Sequence, residues 1–138
     1  EFNANKLTAY SLNQTTGAVT ATGNFAPISS APESVFVHPT GKYVFVAFTA
    51  GGPTGSISGY TINSNTGAIT LINTATNGVI SPNRITIDPS GKFLYSSSYS
   101  SNNITLSTID PATGVITHFN SYSAGTNPNG IFVTGVNP

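Results

Sequence analysis

The sequence predicts an all-β protein made of four-stranded antiparallel β-propeller blades, forming an incomplete propeller. Segments that end in a Thr-Gly pair recur at Gly17, Gly67 and Gly114, so the repeat periods are 50 and 47 residues. Repeats of about 40–50 residues with several short strands are typical of propellers. The chain has no stretch with the spacing of an amphipathic helix, and its apolar segments are rich in β-branched and aromatic residues.

Each repeat unit is predicted to contain four strands in a fixed order. The inner strand, residues 85–87, leads through a Pro-x-Gly-Lys turn into the second strand, residues 93–98, whose counterpart is 43–48. The third strand, residues 104–109, has counterparts at 7–12 and 57–62. A Thr-Gly turn follows it, and glycine suits this turn because it adopts positive φ without strain. The outer strand, residues 115–120, completes the unit.

The third strands predict that apolar side chains project from both faces of a blade. Leu7, Ile57 and Ile104 are equivalent, and so are Leu12, Ile62 and Ile109. Five residues separate the two members within each strand, so they point to opposite faces. A blade between two neighbours needs apolar residues on both faces, and we therefore interpret these side chains as core between blades.

Residues 1–138 are predicted to be a single propeller segment with repeat parts 1–30, 31–80, 81–126 and 127–138. These parts supply two, four, four and one strand, eleven in total. Propellers have about four to eight blades, so the two ends of this segment would expose apolar surface and unpaired strand edges. The expected partners are the remaining propeller blades or other copies of the chain, arranged in a ring or a filament.

The composition excludes several classes of function. Charged residues are 6% of the chain, four basic against four acidic, and the net charge is zero. Nucleic-acid binding needs clustered cations, so no nucleic-acid partner is expected, and no apolar run approaches the about 20 residues of a membrane span. The absence of cysteine excludes disulfides and thiolate chemistry. Low charge with abundant Thr, Ser, Asn and Tyr predicts an extracellular or cell-surface protein, bacterial in origin. The start at Glu1 predicts a processed form or an excised fragment.

Three phrases carry a family resemblance: VHPTGKYVFV, IDPSGKFLYSSSYSSNNITLSTIDPATGVIT and SAGTNPNGIFV. They resemble the lactonase-type seven-bladed β-propellers, relatives of 6-phosphogluconolactonase and carboxymuconate cyclase. The resemblance covers nearly the whole chain and implies about three of seven blades, together with formation or hydrolysis of a lactone ring. Sugar-lactone members carry Pro-Arg-His at the start of an inner strand. The matching triplets here are Pro32-Glu33-Ser34, Pro82-Asn83-Arg84 and Pro128-Asn129-Gly130.

Lactone hydrolysis would need a general base that activates water and a donor that holds the oxyanion. Glu33 and Arg84 are the first candidates, because both follow a loop proline at the entrance to an inner strand, which lines the propeller channel. His38 is a third candidate, since it matches the histidine of a His-Pro-x-Gly-Lys turn. The alternative for Glu33 and Arg84 is a structural role, as a pair at the blade mouth or as solvated charges.

The remaining ionisable residues are interpreted as structural. Asp88 and Asp110 precede turns and are predicted to cap them by accepting backbone N–H bonds. His118 is expected on the surface of an outer strand. The sequence shows neither metal-ligand spacing nor a cofactor motif, so no metal and no cofactor are predicted.

Two functional hypotheses remain. The first is a secreted or surface propeller module that acts in binding or assembly, with a small-molecule or sugar ligand; few ionisable residues and the missing Pro-Arg-His triplet favour it. The second is part of a lactone hydrolase similar to 6-phosphogluconolactonase, whose catalytic residues lie largely in other blades. The second hypothesis would make the chain part of a carboxylic ester hydrolase.

Overall fold

The computed structural model describes residues 5–28, 32–49, 55–76, 78 and 80–135. All regular secondary structure in these ranges is β-strand, which confirms the all-β prediction. The ten strands are β1 Lys6–Leu12, β2 Val19–Pro27, β3 Pro32–Val37, β4 Tyr43–Thr49, β5 Gly55–Ile62, β6 Ile69–Ala75, β7 Pro82–Ile87, β8 Phe93–Ser98, β9 Asn103–Ile109 and β10 Ile116–Ser123. In the described ranges there is no helix that could cross a membrane.

The strands form three antiparallel sheets in which consecutive strands are neighbours. The first hairpin comprises β1 and β2, the middle blade comprises β3 to β6, and the third blade comprises β7 to β10. The two complete sheets have the four-strand order that the repeat predicts, from the inner strand to the outer strand. The first hairpin corresponds to the third and outer strands of a blade. These sheets confirm the prediction of an incomplete propeller.

The prediction of an eleventh strand within residues 127–135 is wrong, because these residues have an irregular backbone. They nevertheless lie where the next inner strand would lie. Asn83 Nδ2 donates to Asn129 Oδ1 at 2.7 Å, and Gly135 packs against Pro89. A strand requires backbone hydrogen bonds to a neighbouring strand, and the described part of the chain offers no second strand of a further blade. The segment therefore keeps its position without becoming a strand.

Strand β4 is buried along almost its whole length because both faces of the middle blade are covered. Val44, Val46 and Phe48 pack in the core shared with the first hairpin. Phe45 and Ala47 pack in the core shared with the third blade. Successive side chains of a strand point to opposite faces, so a continuous apolar run can fill two cores at once.

The third strand of the middle blade confirms the two-faced interpretation of its apolar residues. Ile57 is fully buried in the core shared with the third blade, whereas Ile62 packs against the core shared with the first hairpin. Each face of this blade therefore contacts a neighbouring unit, and neither is open to solvent as a whole.

The sheets approach one another most closely at their inner strands. Strands β3 and β4 both contact β7 extensively, whereas the outer strands β6 and β10 contact each other less. This decrease in contact from the inner to the outer strands is expected when blades radiate from a common axis. It brings the starts of β3 and β7, at Pro32 and Pro82, side by side at one end of that axis.

The turns after the third strands share one hydrogen-bond pattern. In each turn a side-chain oxygen accepts N–H bonds from the residues two and three positions later; the capping residues are Asn13, Asn63 and Asp110. Backbone N–H groups of Ala112 and Thr113 hold the pKa of Asp110 below its ordinary value, despite the opposing effect of desolvation. The predicted capping role of Asp110 is confirmed. The glycine that closes each turn has a φ of 72° or 73°, which explains the repeated Thr-Gly pair.

Candidate functional site

Two of the three candidate residues meet at the start of the inner strands. Glu33 lies in β3 and Arg84 in β7, and both side chains are exposed. Arg84 Nη1 donates to the main-chain oxygen of Glu33 at 3.3 Å and to that of Asn83 at 2.7 Å. The Glu33 carboxylate accepts a hydrogen bond from Thr49 Oγ1 at 2.9 Å. The two candidates are therefore joined through a backbone carbonyl of the neighbouring blade.

Two asparagines extend this polar row. Asn83 Nδ2 donates to Asn129 Oδ1 at 2.7 Å, and Ser97 Oγ donates to Asn83 Oδ1 at 3.1 Å. Asn83 and Asn129 each follow the loop proline of their repeat, as Glu33 does. Sequence reasoning did not select them, although this shared position was the signal that could have found them. Glu33, Asn83, Arg84 and Asn129 are termed the inner rim below.

A groove beside the inner rim separates β1 from β3. Its volume is about 210 Å³, and its walls are mostly apolar side chains of β1, β3 and β4, with Lys6 and Glu33 as the charged lining residues. Small-molecule sites are commonly apolar concavities with a few polar groups that orient the ligand. The groove therefore places an apolar surface next to the charged groups of the inner rim.

The third candidate, His38, lies beyond the far end of β3, about 17 Å from Glu33 at the usual rise of a strand. Its ring is buried, with 4% exposure. The Thr40 N–H donates to Nδ1 at 3.2 Å, so Nδ1 carries a lone pair, and Nε2 donates to the carbonyl oxygen of Gly91 at 2.8 Å. The Thr40 hydroxyl also lies 2.8 Å from Nδ1, so both ring nitrogens have hydrogen-bond partners. The structure thus places His38 between two turns, apart from the inner rim.

Asp88 is the counterpart of His38 in the third blade, but it binds its own turn. Its carboxylate accepts the N–H of Phe93 at 2.9 Å and the N–H of Ser90 at 3.1 Å, which confirms the predicted capping role. Burial alone would raise the pKa of Asp88. Hydrogen bonds from the Ser90 hydroxyl and from the backbone of Phe93, Ser90 and Lys92 outweigh that effect and lower the pKa.

The expectation that His118 lies on the surface is wrong. Its ring is half-buried against Gly78, where an added Cβ would lie 2.4 Å from Nε2. Its Nδ1 is buried and has no hydrogen-bond partner among the described residues. The ring is covered because β10 packs beside the outer strand of the middle blade, leaving a cavity of about 190 Å³ lined by residues of both strands. This cavity lies at the outer edge of the blades, away from the inner rim.

The inner rim combines one carboxylate, one guanidinium and two amides. The guanidinium has five N–H donors and can hold a carboxylate, a phosphate or an oxyanion. A carboxylate can accept a hydroxyl hydrogen bond or take a proton from water. In the described ranges no three His, Asp or Glu side chains are grouped so that they could hold a metal ion. The side chains of the inner rim can donate hydrogen bonds to an anionic group and accept a hydrogen bond or a proton at the carboxylate.

A family model described as Lactonase, 7-bladed β-propeller matches residues 3–133. The chain belongs to this family. The match covers both complete blades and the first hairpin, and it confirms the resemblance found in the turn and third-strand phrases. No curated protein matches the chain.

Solved structures show the same fold. A candidate 6-phosphogluconolactonase from Bacteroides fragilis superposes with a TM-score of 0.78 at 18% identity, covering 91% of this chain and 35% of its own. A second candidate 6-phosphogluconolactonase, from Bacteroides uniformis, gives a TM-score of 0.73 at 19% identity, with 91% and 36% covered. The periplasmic gluconolactonase of Pseudomonas aeruginosa gives 0.73 at 12% identity, with 88% and 35% covered.

These identities are low enough that the superpositions establish the fold alone. The chain spans about a third of the length of the three matched proteins. The ten described strands make two and a half four-stranded blades, which is also about a third of a seven-bladed propeller.

Proposed function

We propose that this chain is part of a lactone hydrolase similar to 6-phosphogluconolactonase, in which the inner rim binds the substrate and other blades supply most of the catalytic residues. The observation that carries the proposal is the row of polar side chains on the inner strands of a lactonase-family propeller. The comparisons favour this hypothesis over the binding or assembly module that the sequence alone favours.

The residues of the inner rim would have distinct roles. Arg84, exposed and oriented by two main-chain carbonyls, would hold a phosphate, a carboxylate or the oxyanion of the opening lactone. The amides of Asn83 and Asn129 would bind sugar hydroxyls. Glu33, whose carboxylate is oriented by the Thr49 hydroxyl, would accept a hydroxyl hydrogen bond or activate water.

Binding of a sugar acid phosphate tests the proposal directly. We expect 6-phosphogluconate to bind the chain, and Arg84→Gln to raise its Kd about tenfold or more, because a hydrogen bond to a charged group contributes about 1.5–3 kcal/mol. Isothermal titration calorimetry would measure both constants. Lys92→Gln is the matched control, since it removes an exposed cation at the turn on the opposite end of the blade. Equal weakening by both substitutions, or no binding by the wild-type chain, would contradict a specific role for the rim.

Binding without turnover remains the second candidate function. It is favoured by the geometry of the rim, where Arg84 donates to main-chain carbonyls and the Glu33 carboxylate is held by Thr49. Hydrolysis of a sugar lactone above the background rate, abolished by Arg84→Ala or by Glu33→Ala, would exclude this candidate. A complete propeller that contains this segment, binds 6-phosphogluconate and leaves the lactone intact would support it.

An extracellular or cell-surface location is part of the same proposal. Its support is the low charge and the high content of Ser, Thr and Asn. Fractionation of the native cells, with detection of the protein by mass spectrometry, would test it. Recovery of the protein from the cytoplasm alone would contradict this location.

A further inference from the structure

A chain of side-chain hydrogen bonds leads from the buried centre of the third blade to the inner rim. Ser97 of β8 is 0% exposed, and its hydroxyl donates to Asn83 Oδ1 at 3.1 Å. Asn83, which is half-buried, in turn donates through Nδ2 to Asn129 Oδ1 at 2.7 Å. Ser97, Asn83 and Asn129 are termed the amide relay. The relay joins the second strand of the blade to its inner strand and to the segment that follows the blade.

The direction of the amide relay is set at its buried end. A serine hydroxyl can donate or accept, whereas an asparagine accepts through its oxygen and donates through its nitrogen. If Ser97 instead accepted from Asn83, its own O–H would need another acceptor, and among the described residues this hydroxyl has no partner besides Asn83. A buried donor without a partner is destabilising. The hydroxyl therefore donates, and it holds the oxygen of Asn83 towards the core.

This orientation is passed on to the end of the relay. With its oxygen turned towards Ser97, Asn83 directs its nitrogen to Asn129, which accepts through its oxygen. An asparagine amide has two N–H groups, so Asn83 keeps one and Asn129 keeps two that the relay does not use. Asn83 accepts one hydrogen bond and donates the next, and hydrogen bonds linked in this way strengthen one another. The relay therefore presents N–H groups at the inner rim, while each of its amide oxygens already accepts a hydrogen bond.

The middle blade lacks such a relay, although its strands pair in the same register. Ala47 of β4 has the register position of Ser97 in β8, and it supplies no hydroxyl. Glu33, the counterpart of Asn83, is held instead by the hydroxyl of Thr49 at 2.9 Å. An ionised carboxylate accepts hydrogen bonds, whereas the amide relay ends in donors. The inner rim therefore has an accepting side in the middle blade and a donating side in the third blade.

We propose that Ser97 is a positioning residue for substrate binding, because through the amide relay it turns the N–H groups of Asn83 and Asn129 towards oxygen atoms of the substrate. The groups that fit this side of the rim are hydroxyl, carboxylate and phosphate oxygens, all of which accept hydrogen bonds. A substrate hydroxyl that donates its proton finds its acceptor at Glu33, on the other side. The inference rests on the proposed function, since it requires that the inner rim binds a sugar acid phosphate.

Nuclear magnetic resonance of the ligand-free chain tests the direction of the relay. We expect the Asn83 amide protons to show nuclear Overhauser effects to Asn129 rather than to the β protons of Ser97. Ser97→Ala should shift the side-chain amide signals of Asn83 and Asn129, because Asn83 is then free to turn over. Alanine fits this strand position in the middle blade, where Ala47 is 0% exposed. Overhauser effects from the Asn83 amide protons to Ser97, or unchanged amide signals in Ser97→Ala, would overturn the proposal.

Ser96→Ala is the matched control for the loss of a buried hydroxyl. Ser96 is the preceding residue of β8, is also 0% exposed, and is hydrogen-bonded to Thr105 rather than to the inner rim. This variant should lose stability much as Ser97→Ala does, but it should leave the amide signals of Asn83 and Asn129 in place. Equal shifts of these signals in both variants would indicate a general loosening of β8 and would count against the relay.

A double-mutant cycle in the titration with 6-phosphogluconate tests the effect on binding. We expect Ser97→Ala to raise the Kd about threefold or more in the wild-type background and to have no effect in the Asn83→Ala background, because Ser97 acts through that amide. Ser96→Ala should leave the Kd unchanged in both. An equal rise with and without Asn83 would overturn the positioning role and leave the proposed function intact. No binding by the wild type would overturn the proposed function and the binding role together, and the amide signals would still show whether the relay exists.

Two partial ligands identify which substrate oxygens the relay holds. Gluconate keeps the carboxylate and lacks the phosphate, whereas sorbitol 6-phosphate keeps the phosphate and lacks the carboxylate. If Ser97→Ala weakens the binding of only one of them, the relay holds the anionic group of that ligand. If it weakens both, the relay holds hydroxyls that the two ligands share. Unchanged affinity for both ligands in Ser97→Ala would overturn the proposal.

Discussion

The middle and third blades have the same strand order, but their central strands are packed with different chemistry. In the middle blade, β4 carries aromatic and aliphatic side chains on both faces. In the third blade, β8 ends in Ser96, Ser97 and Ser98, each with 0% exposure. Ser96 is hydrogen-bonded to Thr105, and Ser97 donates to Asn83. Ser98 Oγ is also buried, but it has no hydrogen-bond partner among the described residues. Close packing thus does not require the same side chains in each blade, and two of these three buried hydroxyls find partners.

The cross-strand pairs show that the two blades place side chains of different size at the same register. Phe45 lies opposite Gly59, and its ring would be 2.9 Å from a Cβ on that glycine. The equivalent pair in the third blade is Tyr95 opposite Leu106. Tyr95 and Leu106 together are larger than Phe45 and Gly59, and Tyr95 is only half-buried, so part of its surface faces solvent. The repeat therefore keeps the strand register although the two pairs differ in volume.

Truncation at this pair should give the largest effect. Phe45→Ala should lower the free energy of unfolding by about 3–5 kcal/mol, because a fully buried phenyl ring is lost and leaves a cavity. Tyr95→Ala, at a half-buried site, should cost about 1–2 kcal/mol. Urea titration followed by circular dichroism would measure both. Equal losses of unfolding free energy would show that burial of the central strand by neighbouring units does not distinguish the two blades.

Alanine at two equivalent glycines should separate backbone strain from packing. Gly114 and Gly17 have φ of 73° and 72°, so alanine costs about 1–2 kcal/mol of strain at either position. At Gly114 it would also displace Tyr43, at about 1–3 kcal/mol more. Thermal unfolding would measure the difference. A larger loss for Gly17→Ala would contradict the packing of Tyr43 against Gly114.

The pH dependence of stability should give the smallest effect, and it tests the capping role of Asp88 in the third blade. The pKa of Asp88 is lowered in the folded chain, so its contribution to stability is present above the unfolded pKa of about 3.9 and is lost as the pH falls through the lower folded value. Urea midpoints between pH 6 and pH 2 should therefore show that wild type exceeds Asp88→Asn near neutrality and that the gap closes in acid.

A turn that tolerates asparagine separates lost hydrogen bonds from lost charge. The pKa of Asp110 is also lowered, so the gap between wild type and Asp110→Asn should close in acid as well. Asp110→Asn should keep both backbone hydrogen bonds, because Asn13 and Asn63 make the same two bonds in the equivalent turns. A gap between wild type and Asp88→Asn that stays constant with pH would show that the Asp88 carboxylate adds no proton-linked stability.

Much of the fold could be predicted because its signals are local. The turn residues Asn13, Asn63 and Asp110 cap their own loops, and the alternation of Ile57 and Ile62 follows from the two-residue period of a strand. The candidate site was harder to predict from the sequence. Glu33 and Arg84 could be placed at inner-strand entrances by repeat position, but their connection through a backbone oxygen depends on how two blades approach each other.

The sequence by itself determined the strand order, the capped turns and the family, since each follows from residues close together in the chain or from a repeated phrase. The tertiary structure decided whether residues 127–135 become a strand, where the ring of His118 lies, and which residues join Arg84 in the inner rim. These outcomes depend on partners some 40–50 residues away, as with Asn83 and Asn129. A hydrogen bond forms only where donor and acceptor meet, and a ring is buried only where other residues cover it. The packing of neighbouring blades brings these groups together.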